Sequence, residues 1–185
     1  LGEVMQESIA AALTVGREGK TLGPLASLAG AAPAENDPSE ILRELRSFAT
    51  TGTLLHVAAH PDDENTQLIT YFARARGYRT AYLSLTRGDG GQNEIGPEIF
   101  EGLGVLRTEE LAALHRFDGA EQYFTRAVDF GYSFSIDETF EKWGRDEITA
   151  DYVRMIRTIR PDVIFGMTPN GNNGGQHHNA SAVIS

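Results

Sequence analysis

The amino-acid sequence predicts an α/β protein with a Rossmann-like, mostly parallel sheet that carries helices on both faces. Three short apolar segments bounded by turn-forming residues predict strands, and segments with helical periodicity lie between them. The first two strands and the helix between them fit into about 30 residues, which is typical of a βαβ unit with a right-handed crossover. Repeated alternation of this kind favours a doubly wound sheet.

The first predicted helix begins near Asp37, which can cap it, with Pro38 in its first turn and Glu40 placed as in a capping box. Apolar residues then recur at helical spacing until Thr51 and Gly52 end the helix. The other predicted elements, in chain order, are a buried strand at Thr53–Ala59, a helix at 64–76, a strand at Arg79–Leu85, a helix of about 12 residues from Val105, a short strand at Glu121–Phe124, an irregular aromatic stretch at 125–145, a helix at Glu147–Ile159, a strand at Pro161–Met167 and the start of a helix after His177.

The chain divides into two parts by composition. Residues 1–39 are dense in Ala, Gly and Pro and predict a leader or linker with at most one short helix. Residues 40–185 predict one domain, and we expect it to continue beyond Ser185, because the sheet is short for this class. The leader slightly favours an exported bacterial protein over a cytoplasmic one, and compartment and oligomeric state stay open.

Composition excludes several function classes. The 185 residues carry 16 Lys and Arg against 26 Asp and Glu, a net charge of −10, with no basic run for nucleic acid or a membrane surface. The absence of cysteine excludes disulfides, thiolate metal sites and a cysteine nucleophile. No apolar stretch approaches the roughly 18 residues that span a bilayer. We therefore expect no nucleic-acid partner and no membrane span.

A dense group of polar residues follows the first predicted strand. His60, Asp62, Asp63 and Glu64 come directly after it, and Pro61 restricts His60 to an extended backbone. One interpretation is helix capping, since acidic residues in a first helical turn complement the helix dipole. The alternative is a divalent-metal site, in which a second carboxylate stays free as a general base. His60 favours the metal site, because neither a cap nor a buried strand end needs an imidazole.

A second group, His177 and His178, follows the last predicted strand. A lone histidine pair is more often a surface feature than a site. However, the carboxyl ends of parallel strands share one edge of the sheet, where open α/β sheets bind their ligands. Topology therefore makes His60, Asp63 and His178 candidate ligands of one ion, with a fourth position left for water as in catalytic zinc sites.

The glycine-rich loop Thr86–Asn93 follows the second predicted strand. It lacks the Gly-x-Gly-x-x-Gly spacing and is not a P-loop. A flexible turn and a substrate-facing loop are both open, and in the second case Arg87 and Asp89 are candidates for substrate contact. Arg107, in the next predicted helix, is either a solvated residue or a substrate clamp.

The string Ala59-His60-Pro61-Asp62-Asp63-Glu64 after an apolar strand, with a distal histidine motif after a later strand, resembles the PIG-L/LmbE-like family of zinc-dependent N-deacetylases. The resemblance covers residues 53–185, and the segments Thr86–Asn93 and Leu106–Leu111 are similar to a large bacterial subgroup. It implies a Rossmann-like, LmbE-like fold and a hydrolase that removes an acetyl group from an N-acetylated sugar or glycoconjugate.

The resemblance also implies one Zn²⁺ per chain, with another divalent metal as the alternative, and a metal-bound water that attacks the amide. The implied roles are zinc ligands His60, Asp63 and His178; general base Asp62; second catalytic residue His177; and substrate contacts Arg87, Asp89 and Arg107.

The distal motif departs from the family pattern, which commonly reads His-Pro-Asp-His. With its last histidine aligned on His178, Gly175 takes the place of the first histidine and His177 that of the aspartate. Either His177 or a residue beyond Ser185 supplies the acid, or the chemistry is weakened. A non-catalytic sugar-binding or regulatory domain of the same fold is therefore the alternative function, and a two-metal phosphoesterase ranks below it for want of ligands.

Overall fold

The computed structural model describes residues 37–185 except 92, 94 and 169–174. The leader predicted for residues 1–39 therefore lies almost wholly outside the described residues. In chain order, the elements are α1 Pro38–Ser47, β1 Thr53–Ala58, α2 Thr66–Thr70 with a π-helical turn at Tyr71–Ala75, β2 Arg79–Ser84, α3 Glu101–Asp118, β3 Glu121–Phe124, α4 Ile136–Trp143, α5 Arg145–Ile159, β4 Val163–Gly166 and α6 Gln176–Ile184.

The four strands form one parallel sheet in the order β3-β2-β1-β4. The predicted α/β class with a mostly parallel sheet is confirmed, and Glu121–Phe124 is a strand as expected. The first three strands are laid down in one direction, and the chain then returns to place β4 on the other side of β1. The junction of β1 and β4 is thus the topological switch point, where sheets of this kind leave a crevice at their carboxyl ends.

Helices cover both faces of the sheet. Alternate residues of β1 point to opposite faces, so Leu55 and Val57 join the larger core and Ala58 joins the smaller one. The larger core includes Trp143 of α4 and Ile148 of α5, and the smaller core includes Leu111 of α3. Burial on both faces explains why β1 and β2 are almost continuously apolar.

Two sequence predictions of helix position were wrong. The helix predicted from Val105 begins at Glu101. Its first turns contain Gly104, where an added Cβ would overlap the carboxylate of Asp89, so this position needs a glycine although the residue is a weak helix former. The irregular stretch predicted at 125–145 contains α4, whose buried face includes Phe140 and Trp143.

The signal for α4 was a cap at its start. Ser135 accepts a hydrogen bond from the amide of Glu138 (3.0 Å), and Glu138 accepts one from the amide of Phe134 (2.8 Å). This Ser-x-x-Glu spacing is a helix start that the density of aromatic residues concealed.

The outer strand β4 is covered least. Val163 is 54% exposed and Ile164 is 38% exposed, although buried parallel sheets are usually covered on both faces. The expectation that the domain continues beyond Ser185 stays a prediction. Among the described helices, none is both long enough and apolar enough to cross a membrane.

The carboxyl end of α3 is fixed by a buried polar group. His115 Nδ1 lies 2.9 Å from a carboxylate oxygen of Asp118, and His115 Nε2 lies 2.8 Å from Gln122 Oε1. The same carboxylate accepts the amide of Ala120 (2.9 Å), which ties the helix to β3. Both ionisable side chains are almost fully enclosed, so each depends on the other for a partner.

We expect His115→Ala to lower the free energy of unfolding by about 3 kcal/mol, because it leaves a buried carboxylate without its imidazole. Urea denaturation followed by circular dichroism measures the change. Arg116→Ala, at an exposed position of the same helix, is the matched control and should change stability by less than about 0.5 kcal/mol. Equal losses in the two variants would contradict a stabilising role for the histidine pair with Asp118.

Candidate metal site and active site

The candidate site lies at the switch point between β1 and β4. His60 is the second residue after β1, and His177 and His178 lie in the first turn of α6, which follows β4. Two hydrogen bonds hold the end of β1, since the hydroxyl of the buried Tyr82 donates to the carbonyl of His60 (2.6 Å) and Thr86 Oγ1 donates to the carbonyl of Ala59 (2.9 Å). The two distant histidine motifs are therefore brought together as the topology argument predicts.

The turn after His60 directs its two aspartates differently. The backbone of Asp62 is left-handed (φ 87°), a region that a non-glycine residue enters at some cost. Asp63 turns back, and its Oδ2 accepts the amide hydrogen of His60 (2.8 Å). As a result, the Asp62 side chain is 72% exposed and that of Asp63 is 12% exposed.

Three predicted ligands form a compact triangle of donor atoms. His60 Nδ1 lies 3.0 Å from His178 Nε2 and 3.3 Å from Asp63 Oδ2. His178 Nε2 lies 3.2 Å from Asp63 Oδ1. Ligands of tetrahedral zinc at bond lengths of about 2.0–2.1 Å are separated by about 3.3 Å. Two imidazoles and a carboxylate at these separations fit a zinc ion, with a fourth position left for water.

The electrostatics of Asp63 match a ligand. Burial alone would raise the pKa of Asp63, but hydrogen bonds with His178 and His60 hold it well below its ordinary value. The carboxylate is therefore ionised at neutral pH, which is the form that binds a metal.

Asp62, the predicted general base, is held by an arginine. Arg107 of α3 donates to Asp62 Oδ2 (2.7 Å) and to the carbonyl of Pro61 (2.9 Å), and it also pairs with Glu110. The predicted substrate clamp stays a prediction, and in this structure the guanidinium braces the turn that carries the candidate site. Arg107 thereby fixes the direction of the Asp62 carboxylate.

His177 lies on the other side of His60. Its Nδ1 is 3.0 Å from His60 Nε2, whereas the metal triangle uses His60 Nδ1. The ring is 4% exposed, and burial, followed by the charge of His60, lowers the pKa of His177 to about 4. The predicted catalytic role of His177 stays a prediction, and its ring is buried on the side of His60 that faces away from the donor triangle.

Sequence analysis missed one residue of the site. Asp129 is buried, and its carboxylate oxygens lie 3.8 Å from His60 Nε2 and 3.7 Å from His177 Nδ1. With these two histidines it forms a second group of possible metal-binding atoms. The position of Asp129 in the sequence could have indicated it, because Asp129 follows the carboxyl end of β3, at the edge of the sheet where the other site residues lie.

The glycine-rich loop packs against the Asp129 turn. A side chain at Gly90 would overlap the backbone of Gly131 and of Asp129. Glycine is therefore needed at this position so that the two backbone segments can approach closely, which is a steric requirement and not one of flexibility. Arg87 extends away, with its guanidinium 4.2 Å from the centre of the Phe124 ring. The structure thus places Arg87 and the Asp129 turn on either side of one loop.

Comparison with known proteins decides the family. The sequence profile described as PIG-L, GlcNAc-PI de-N-acetylase, matches residues 55–185. The chain belongs to the PIG-L family. The matched range contains all three residues of the donor triangle, together with Asp62 and Asp129.

Curated relatives of this PIG-L chain are named 1D-myo-inositol 2-acetamido-2-deoxy-α-D-glucopyranoside deacetylase. That of Streptomyces scabiei is 30% identical over 142 residues, covering 68% of this chain and 44% of the relative. That of Thermobispora bispora is 31% identical over 143 residues, covering 68% of this chain and 47% of the relative. The chain thus spans about half the length of the curated relatives it matches.

Solved structures confirm the PIG-L fold at low sequence identity. An N,N′-diacetylchitobiose deacetylase from Pyrococcus horikoshii superposes with a TM-score of 0.53 at 18% identity, over 82% of this chain and 58% of that chain. GalB, a 4-carboxy-2-hydroxymuconate hydratase from Pseudomonas putida, superposes with a TM-score of 0.57 at 17% identity, over 72% of this chain and 54% of that chain. Because neighbours of this fold differ in reaction, the fold alone does not decide the chemistry.

We expect Gly90→Ala to weaken metal binding, because the added methyl group must displace the turn that holds Asp129 beside His60. Titration with zinc against a competing chelator measures the dissociation constant. Gly102→Ala is the matched control, since a methyl group at that helical position has no described neighbour closer than 3.7 Å. Unchanged zinc affinity in a folded Gly90→Ala protein would contradict the proposed close packing of loop and turn.

Proposed function

We propose that this PIG-L chain carries the metal-binding part of a deacetylase that hydrolyses the acetamido group of an N-acetylated sugar or glycoconjugate. The observation that carries the proposal is the triangle of His60, Asp63 and His178, whose donor atoms are separated by 3.0–3.3 Å. Its position at the switch-point crevice supports a role in substrate chemistry.

The metal and the carboxylates divide the reaction between them. His60, Asp63 and His178 would hold the metal, which when bound would make a water molecule acidic enough to lose its proton near neutral pH and would polarise the amide carbonyl. Asp62 takes the proton from the attacking water, since it is the exposed carboxylate next to the ligand Asp63. The same carboxyl group can then return the proton to the nitrogen of the leaving amine.

Arg107 acts on this step through Asp62. Its hydrogen bond to one carboxylate oxygen, Oδ2, leaves Oδ1 as the oxygen that takes the proton. Its second bond, to the carbonyl of Pro61, fixes the backbone of the same turn. Arg107 therefore holds the base in one orientation, which is the kind of alignment on which general base catalysis depends.

The names of the relatives support an amino-sugar substrate. The curated relatives are named for an inositol-linked 2-acetamido-2-deoxyglucoside, and one structural neighbour is named for diacetylchitobiose. Arg87 is exposed, and with Asp89 it is proposed to contact the sugar. The other candidate, a sugar-binding domain without hydrolysis, is favoured by Gly175 in place of a histidine.

Zinc content tests the metal site. We expect about one Zn²⁺ per wild-type chain and loss of that zinc in His178→Ala, because the substitution removes one donor of the triangle. Elemental analysis of the gel-filtered proteins measures the ratio. Asn179→Ala, the adjacent position on α6, is the matched control and should retain the metal. Zinc-free wild-type protein after reconstitution would overturn the proposed site.

Turnover tests the general base. We expect Asp62→Asn to keep its zinc and to lose about 10²–10⁴-fold in kcat, because the amide cannot accept the proton of the attacking water. The release of acetate from N-acetylglucosamine, its inositol glycoside and diacetylchitobiose measures the rate. Asp146→Asn, an exposed aspartate at the start of α5, is the control.

Two results would contradict this assignment. Full turnover in Asp62→Asn would remove Asp62 from the mechanism. A wild-type chain that holds zinc and binds an acetylated sugar but releases no acetate would favour the sugar-binding alternative.

A further inference from the structure

The two nitrogens of the His60 ring face different partners. Nδ1 lies within the triangle with Asp63 and His178, and Nε2 lies 3.0 Å from Nδ1 of His177. A neutral imidazole carries one proton, and a nitrogen that binds a metal has none. If Nδ1 is the ligand atom, the proton of His60 is on Nε2 and points at His177.

His177 is the nearest acceptor that the described residues offer to this proton. The alternative acceptor is Asp129, whose Oδ2 lies 3.8 Å from His60 Nε2, beyond hydrogen-bond distance. Asp129 Oδ1 is instead bonded to the amide of Gly131 (2.8 Å). The arrangement therefore makes His177 Nδ1 the acceptor and Asp129 a buried negative charge beside both rings.

We infer that His177 is a positioning residue, which accepts the Nε2 proton of His60 and thereby holds Nδ1 of that ring toward the metal. The inference rests on the proposed metal triangle and deepens it, because outer partners of this kind set the tautomer and direction of a histidine ligand. The carboxylate of Asp129 adds a favourable charge next to a ring that becomes more positive when it binds a cation.

The surroundings of His177 suit a fixed acceptor. Its ring centre is 4.5 Å from that of Phe130 and 4.9 Å from that of Trp143. The indole of Trp143 is itself anchored, because Nε1 donates to the carbonyl of Val128 (2.9 Å). His177 Nε2 is buried without a hydrogen-bond partner among the described residues. The polar contact of this ring with His60 is therefore made through Nδ1.

Two substitutions at His177 separate positioning from catalysis. In asparagine, Oδ1 is attached to Cγ as Nδ1 is in histidine, so His177→Asn keeps an acceptor at nearly the same place. His177→Phe keeps the ring and removes the acceptor. We expect zinc affinity to fall about 10–100-fold in His177→Phe and to stay within about threefold of the wild type in His177→Asn.

The experiment is a zinc titration against a competing chelator, with the protein's own thermal unfolding as a check on folding. Ser181→Ala is the matched control, since Ser181 is a buried residue one turn further along α6 whose hydroxyl has no hydrogen-bond partner in the part of the chain that the structure describes. Asp129→Asn should weaken zinc binding while keeping the stoichiometry at one. Turnover of His177→Asn should remain near that of the wild type.

Three outcomes would overturn the inference while leaving the metal triangle intact. The first is equal zinc affinity in the wild type and a folded His177→Phe. The second is a His177→Asn protein that binds zinc normally but loses turnover as fully as His177→Phe, which would make His177 a proton donor. The third is a second equivalent of zinc that Asp129→Asn removes, which would make His60 Nε2 a ligand. A wild-type protein that binds no zinc would instead contradict the proposed metal site and, with it, the proposed function.

Discussion

The site depends on one topological constraint, the divergence of the chain on either side of β1. Parallel strands place their carboxyl ends at one edge, and the reversal between β1 and β4 leaves a gap there. His60 enters this gap from β1, and His177 and His178 enter it from α6. The ring nitrogens of His60 therefore lie 3.0 Å from those of His177 and His178, although these residues are 117 and 118 positions further along the chain. Any change that shifted β4 against β1 would separate the donors, so the parallel register of these two strands is itself a requirement of the site.

Within that gap, the His60 ring contacts two separate groups of residues, because imidazole has two nitrogens. One nitrogen faces the triangle, and the other faces His177 and Asp129. The Gly90 loop packs on the Asp129 turn and so contributes to the site through steric fit, without a side chain of its own. The carboxylates on the two sides of the ring, the largely enclosed Asp63 and the buried Asp129, would both be costly without positive charge between them. A divalent cation at the proposed site would supply that charge, which is a reason to expect metal binding and folding of this edge to be coupled.

The fold and the triangle could be predicted from sequence because each leaves a local signal. Strand ends are marked by Gly and Pro, and the His60 motif stands directly after one of them. The side of His60 on which His177 lies could not be predicted, because adjacent histidines in a helix point about 100° apart and only the packing of α6 decides which one meets Nδ1. The role of Asp129 could not be predicted for a similar reason. Its stretch of sequence has no regular period, and its place beside His60 is set by loop packing that no spacing rule describes.

The backbone of Asp62 shows how two adjacent, chemically equal residues acquire different roles. In an ordinary extended or helical turn, both carboxylates of an Asp-Asp pair would compete for one cation and one hydrogen-bond donor. Here the left-handed backbone at Asp62 costs of the order of 1–3 kcal/mol and turns its side chain out to solvent and Arg107, while Asp63 folds back onto His60. The strain is offset by the bonds that Arg107 makes to Asp62 and Pro61. One carboxylate thus lies in the donor triangle and the other is exposed, so the proposed division between metal binding and base catalysis would follow from one backbone angle.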